Sequence, residues 1–216
     1  MCNLYSLTKG PQAILDLTRT MRNGAGNLAP QTGIFPDYAA PIVRTGADGV
    51  RELVMARWGM PCPPQYAGPP VTNIRNVKSP HWRRWLGVGS RCVVPATSFC
   101  EYEDTKPRKT PIWFALAEDR PLFVFAGVWT PWRGVRKKSE GEMDHEIFGF
   151  LTCEANAVVR PIHEKAMPVI LTTPEETEAW MTAPAEEALT LQRPLPEEML
   201  KIVARGERYD GPKELA

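Results

Sequence analysis

The second residue of the chain is a cysteine, and that position changes what a cysteine can do. Loss of Met1, the common fate of a methionine that precedes a small residue, leaves Cys2 with amine and thiol two carbons apart. Reference pKa values are about 7.7–8.0 for an α-amine and about 8.5 for a thiol, so both nucleophiles are partly available near neutral pH. Such a 1,2-aminothiol condenses with an aldehyde as a Schiff base, then closes through sulfur to a thiazolidine ring. It can also attack an amide or ester carbonyl, using its own amine as base. Taken alone, Cys2 fits equally a small hydrophobe buried near a chain end.

Further positions carry side chains suited to steering such a reaction. Asn73 and Arg75, at i and i+2 of an extended stretch, point to the same side. One offers a donor and an acceptor, the other a planar fork suited to phosphate. Their bland reading is a turn cap and a solvated cation. Glu101 ends the apolar run Arg91–Cys100, beside Phe99 and Tyr102, where desolvation would raise its pKa toward general acid–base duty. Glu103 and Asp104 read as solvated turn charges. His163 is the one histidine of three that prolines and apolar residues frame, whereas His81 and His145 read as structural or exposed. The segment His81–Trp85 mixes rings and cations as strand-binding proteins do. Trp82 and Trp85 share a helical face, however, which fits core anchoring with the arginines outward.

Bounds on class come from composition. The 216 residues fit one large domain or two small ones, and 43% hydrophobic with 24% charged residues suits a core with a solvated surface. A net charge of +1 supplies no global field for nucleic acid, so such binding needs a local patch. No apolar run approaches the roughly 20 residues that span a bilayer, and the start MCNLYSLTKG lacks a signal-peptide layout. Five cysteines without a CxxC pair, with three histidines, argue against a zinc site and a disulfide framework. A reducing cytoplasm is the expected compartment.

The elements that must position the candidates are short. Pro11–Met21 has helical spacing with proline at its entry. Arg51–Trp58, Arg91–Phe99, Ile112–Leu116, Leu122–Trp129 and Ile147–Thr152 read as strands, rich in Val, Ile, Phe and Trp. The charged segment Arg133–Glu146 reads as a solvated hairpin loop. Thr173-Pro174-Glu175-Glu176 predicts a capped helix to about Met181, and a last short helix is expected over Pro196–Val203. Strands in succession with helices at the ends imply an α+β fold on a curved, largely antiparallel sheet. The 22 prolines, spread throughout, punctuate turns and mark no linker.

As an ordered set these motifs resemble one family. The starting MC, Asn73-Ile74-Arg75, the strand Arg91-Cys92-Val93-Val94-Pro95 through Phe99 to Glu101, Phe125-Ala126-Gly127-Val128-Trp129, and Thr152 to Asn156 followed by His163 and Met167–Leu171 are similar to the SRAP (SOS response-associated peptidase-like) family. The resemblance is strongest over residues 1–181, with 182–216 as a helical or irregular tail of a single domain. It implies an α+β, barrel-like fold with short flanking helices, peptidase-type loss of Met1, and covalent capture of abasic sites in single-stranded DNA as a thiazolidine. It places the functional residues at Cys2, Asn73, Glu101 and His163, and DNA contacts at Pro41, Arg75, Arg83 and Thr152. It implies no cofactor, no metal, no membrane and a monomer. The chain departs from the family's pattern in four places, one of them Asp37-Tyr38-Ala39-Ala40-Pro41 where the family has Y-N-x-A-P. Cys2-Asn3-Leu4 replaces C-G-R and so loses an arginine expected at the DNA backbone. The stretch from His163 to Pro168 is one residue longer, and the family's C-terminal V-N-N block has no counterpart in Ile202–Ala216.

Two other classes compete. A glutamine amidotransferase with an N-terminal cysteine would release ammonia from glutamine. A non-covalent single-strand binder would bind in a fully salt-reversible way.

Overall fold

The computed structural model describes residues 2–66 and 68–211. In chain order its strands and helices begin with β1 (Tyr5–Leu7), α1 (Pro11–Thr18), β2 (Arg22–Asn23), β3 (Gln31–Ile34), β4 (Ala39–Thr45), β5 (Arg51–Trp58) and β6 (Asn73–Ile74). There follow α2 (Pro80–Arg83), β7 (Arg91–Ala96), β8 (Ser98–Glu103), β9 (Thr110–Ala115), β10 (Phe123–Val135) and β11 (Glu142–Cys153). The last are β12 (Met167–Pro168), β13 (Ile170–Leu171), α3 (Pro174–Thr182), α4 (Ala185–Ala188) and β14 (Lys201–Arg205).

Strands β11, β10, β7, β4 and β5 pair antiparallel in that order. The last then returns to the first: β5 pairs β11 in parallel, with Arg57 opposite Ile147 and Trp58 opposite Phe148. Five strands thus close into a barrel, which removes the exposed edges an open sheet would leave. A second sheet, in the order β14-β9-β8-β1-β3, stands beside it. The chain crosses from barrel to sheet at Thr97, so the apolar run expected as one strand is two, β7 and β8. Thr97 contacts Ser6 there, Oγ1 to Oγ at 3.1 Å.

Rings from both layers fill the core between them. Tyr5 of the sheet meets Trp58 of the barrel edge-on at 5.1 Å, and Phe125 lies 4.6 Å from Phe150. All four are fully buried. The capped helix forms as expected: the Thr173 hydroxyl accepts from Glu176 N–H at 3.1 Å. Its Trp180 indole is buried against the barrel, donating to Cys92 O at 2.8 Å.

Two expectations are corrected. Residues 133–146 are no solvated loop but mainly paired strands, with the turn confined to 136–141. Cross-strand partners explain this: Arg133 bonds Asp144 at 3.2 Å and Trp132 stacks on His145 at 5.7 Å. Arg57 clamps the tip, bonding Asp37 at 2.6 Å and Glu140 at 2.7 Å. The expected helix over Pro196–Val203 is instead a single 3-10 turn, Glu197–Met199, followed by β14. The free edge of β9 offers backbone partners that β-branched Ile202 and Val203 suit better than a helix. Among the described residues no helix is long and apolar enough to cross a membrane.

At the end of β5 the chain bends out through Gly59, at φ +134°, and returns as β6. There it resumes the pairing with β11 that β5 left off, Asn73 opposite Phe150. A Cβ at position 59 would lie 2.8 Å from the Pro70 side chain, in a conformation that L-residues rarely adopt. Gly59→Ala is therefore expected to cost about 1–3 kcal/mol by chemical denaturation. The Asn73 resonances should also shift in an amide NMR spectrum of the variant; unchanged stability would mean the bend is not under this constraint.

Candidate active site

Backbone register brings the first residues to the carboxylate. Tyr5 lies opposite Phe99, Ser6 opposite Ser98, and Cys100 N–H donates to Leu4 O at 2.8 Å. Continued two residues further, this antiparallel run carries Cys2 to the end of β8, where Glu101 sits. From the barrel side β6 delivers Asn73, whose Nδ2 donates to the Cys2 carbonyl at 2.7 Å. Cys2, Asn73 and Glu101 are 1%, 6% and 3% exposed, so the three meet in a place with little water.

The Asn73 amide is oriented by its surroundings. Nδ2 donates also to Thr72 Oγ1 at 2.8 Å and reaches Asn3 Oδ1 at 3.4 Å, while Thr72 Oγ1 donates to Asn3 Oδ1 at 2.9 Å. Three acceptors around the nitrogen leave Oδ1 on the opposite side, buried and without a hydrogen-bond partner among the described residues. An orphaned buried acceptor is costly, and is what an incoming N–H or O–H would satisfy. Beside it a cavity of about 530 Å³ is lined by Asn3, Pro36, Tyr66, Pro70, Thr72 and Asn73.

Burial sets the protonation states. The Cys2 thiol is pushed well above the usual thiol range, by desolvation first and then by the Glu101 charge. Burial raises the Glu101 carboxyl to about 7, where it gives and takes protons with equal ease at neutral pH. His163 moves the other way: desolvation holds its pKa below the ordinary value, leaving a neutral imidazole. Its Nδ1 lies 3.0 Å from Ala166 O and 3.3 Å from Ala166 N, so both backbone groups of Ala166 hold the ring.

Arg75 is more occupied than a solvated phosphate fork. It bonds Cys153 O at 2.5 Å, Lys165 O at 3.1 Å and Glu154 Oε1 at 2.9 Å, bracing the turn that carries His163. Its backbone carbonyl and that of Thr152 both accept from the Gln192 amide, at 2.9 and 3.0 Å. Arg83 is exposed on α2 and lines a cleft of about 680 Å³ with Lys78, Leu86 and Gln192. Thr152 and Pro41 are buried in the barrel wall. Trp82 and Trp85 are buried while Arg83 and Arg84 face outward, with Arg84 over the Trp85 ring at 4.2 Å. Asn3, Thr72 and Gln192 escaped the sequence reading. Adjacency to Cys2 and Asn73 was the available signal for the first two, and Gln192 carried none. Among the described residues no three His, Cys, Asp or Glu side chains converge as metal ligands would.

Fold and site together define a mixed α+β barrel protein in which a buried cysteine, asparagine and glutamate meet beside the first strand. Residues 1–205 match the family model for SRAP, the SOS response associated peptidase, and the chain belongs to that family. Two relatives from Bacillus subtilis (strain 168) bear the name abasic site processing protein. YobE is 30% identical over 162 residues, covering 72% of this chain and 67% of its own length. YoqW is 31% identical over 163 residues, covering 72% and 65%. The match thus spans about two thirds of each relative. Among solved structures, a Bordetella bronchiseptica protein superposes with a TM-score of 0.74 at 22% identity, covering 98% of this chain and 100% of that one. A Bacteroides thetaiotaomicron protein gives 0.72 at 22% identity, covering 93% and 90%. These two share the fold.

The raised carboxyl has a consequence for stability. An unfolded glutamate ionises near 4.5 and the folded Glu101 near 7, so rising pH between those values favours the unfolded chain. The penalty is absent below 4.5 and complete above 7, at about 3 kcal/mol from a rise of roughly 2.5 units. Glu101→Gln removes it. The variant should be more stable than the native protein at pH 8 and equal to it at pH 4 in parallel thermal melts; equal stability at both would contradict the buried placement.

Proposed function

We propose that this protein captures abasic sites in single-stranded DNA covalently, through a thiazolidine formed by Cys2 after loss of Met1. The observation that carries this reading is the Asn73 amide fastened to the Cys2 carbonyl with its own Oδ1 buried and unsatisfied. That oxygen is a buried acceptor on the side chain that already holds the Cys2 backbone. The names of the Bacillus relatives support the substrate class.

An abasic sugar in its ring-opened form presents a C1′ aldehyde. The Cys2 amine adds to that carbon, giving a carbinolamine, and loss of one water gives the imine. The thiol then adds across C=N: the S–C1′ bond forms and the thiol proton ends on nitrogen. Because burial keeps the thiol protonated, this last step needs a base beside it. Glu101, raised to about 7, donates a proton to the departing hydroxyl and takes back the one that nitrogen gives up, then takes the proton from sulfur and returns it to nitrogen. Asn73 Oδ1 accepts the hydrogen on nitrogen in the amine, the carbinolamine and the finished ring. Neutral His163 serves ring opening, its lone-pair nitrogen exchanging a proton with the sugar oxygen. Arg83, with the donors Arg75 has left, holds flanking phosphates.

Intact-mass measurement after mixing with an abasic oligonucleotide tests the proposal. The expected species is the protein without Met1 plus the oligonucleotide less one water. Cys2→Ala should give none, and Cys2→Ser at most an adduct that needs reduction to survive. Undiminished adduct on a chain still carrying Met1, or on Cys2→Ala, would overturn the reading. Glu101→Gln should slow the adduct by the roughly 10²–10⁴-fold typical of a lost acid–base group, with Glu103→Gln little changed.

A further inference from the structure

The chain beyond β14 does not leave the fold at the sheet's edge. Glu207 O accepts from the Trp113 indole at 2.8 Å, on β9. Asp210 N–H then donates to Thr32 O at 2.9 Å, on β3 at the opposite edge. Residues 206–210 therefore form a strap across the full width of the five-stranded sheet. It starts level with Glu101, for Arg205 lies opposite Ile112 and Ile112 opposite Glu101, and slants from there toward Thr32, beside the Gln31 that lies opposite Leu7. At its starting level the next strand is the segment beginning at Cys2.

Both anchors are firm. Asp210, 4% exposed, is ion-paired to Arg120 at 2.9 Å. Tyr209 packs on Phe35 at 6.2 Å, and a Cβ on Gly33 would lie 2.6 Å from the Tyr209 ring. Beneath the strap a small core of Leu4, Cys100 and Trp113 fills the sheet's outer face. Leu4 occupies the position where the family pattern has an arginine, and its side chain is wholly buried.

Midway along the strap stands Arg208. It is exposed, lies over the Tyr209 ring at 5.3 Å, and makes no ion pair among the described residues. Tyr102, one residue after Glu101, is 39% exposed at the same end of the sheet. Its phenol, raised chiefly by burial, is influenced by the charges of both Arg208 and Cys2. An exposed guanidinium with no ion pair among the described residues, over one aromatic ring and on a strap that starts level with Glu101, is equipped for one phosphate of a single strand and a base next to it.

We propose that the strap is a nucleic-acid contact of this chain: Arg208 binds the phosphate beside the captured abasic nucleotide, supplying from the C-terminal side the cation that position 4 lacks. The inference rests on the reading of the site as an abasic-DNA trap, and the test separates the two. Capture of an abasic oligonucleotide and of glycolaldehyde, an aldehyde without phosphates, is followed for the native protein, Arg208→Ala, Arg208→Lys and Arg133→Ala. Arg133 is a comparably exposed arginine on the hairpin of β10 and β11, remote from the site.

Arg208→Ala should slow oligonucleotide capture about two- to fivefold at low salt, the worth of one exposed charge contact. It should also reduce the slope of log affinity against log salt for an undamaged single strand by about 0.7. Glycolaldehyde capture should be unchanged, Arg208→Lys should keep the native salt slope, and Arg133→Ala should behave as native. Equal oligonucleotide capture and equal salt slope in Arg208→Ala would overturn the strap contact while leaving the trap intact. Equal slowing with glycolaldehyde would also overturn it, by making Arg208 a structural support of the nucleophile. Absence of any adduct in the native protein would sink the trap, and the salt slope on undamaged strand would still decide the strap.

Discussion

One edge of β11 must bond two separate pieces of chain, β5 over Ile147 and Phe148 and β6 over Phe150 and Leu151. The first pairing closes the barrel; the second holds Asn73 against the N-terminal segment. Gly59 makes both possible, because the chain must leave β11 after Trp58 and rejoin it at Asn73 without losing register. Closure and site are thus consequences of the same strand edge. The parallel sense of the pairing is what allows it, since an antiparallel return would have turned β6 end for end.

Burial then does the chemical work. A cysteine, a glutamate and an asparagine in one water-poor place would be a poor choice for stability alone, because burying polar groups is costly. Desolvation keeps the thiol protonated and lifts Glu101 to about 7, so that near neutral pH the carboxyl is about half ionised. An uncharged thiol is protected from adventitious oxidation and is deprotonated only when a base acts on it. The orphaned Asn73 acceptor belongs to the same economy: it is unsatisfied until a donor arrives.

Around this centre the polar residues divide by whether they touch backbone or solvent. Arg75 spends three donors on Cys153, Lys165 and Glu154, fastening the His163 turn to the barrel. With five N–H groups to a guanidinium, two remain. Arg83 and Arg208 keep their charges in solvent, so a near-neutral chain still presents local cations. The Arg57 clamp with Asp37 and Glu140 is of the other kind, tying the long hairpin to the barrel's end.

What the sequence determined by itself was local or ordered along the chain. The Thr173 cap, the Trp82 and Trp85 face and the strand-rich middle could each be named from neighbours within a few residues, whereas Cys2, Asn73, Glu101 and His163 were singled out as a set by the family resemblance. That Cys2 and Glu101 share a site was legible only through family resemblance, for 99 positions separate them and nothing local links them. Tertiary structure alone decided where charge-rich or ambiguous segments went. Residues 133–135 and 142–146 became strands because each had a cross-strand partner, and Lys201–Arg205 became a strand because β9 had an unpaired edge. It also decided that Arg75 would brace a turn and that Arg208 would ride on a strap anchored to β9 and β3. In each case the deciding energy lay in hydrogen bonds or packing to residues remote in sequence, which local propensity does not encode.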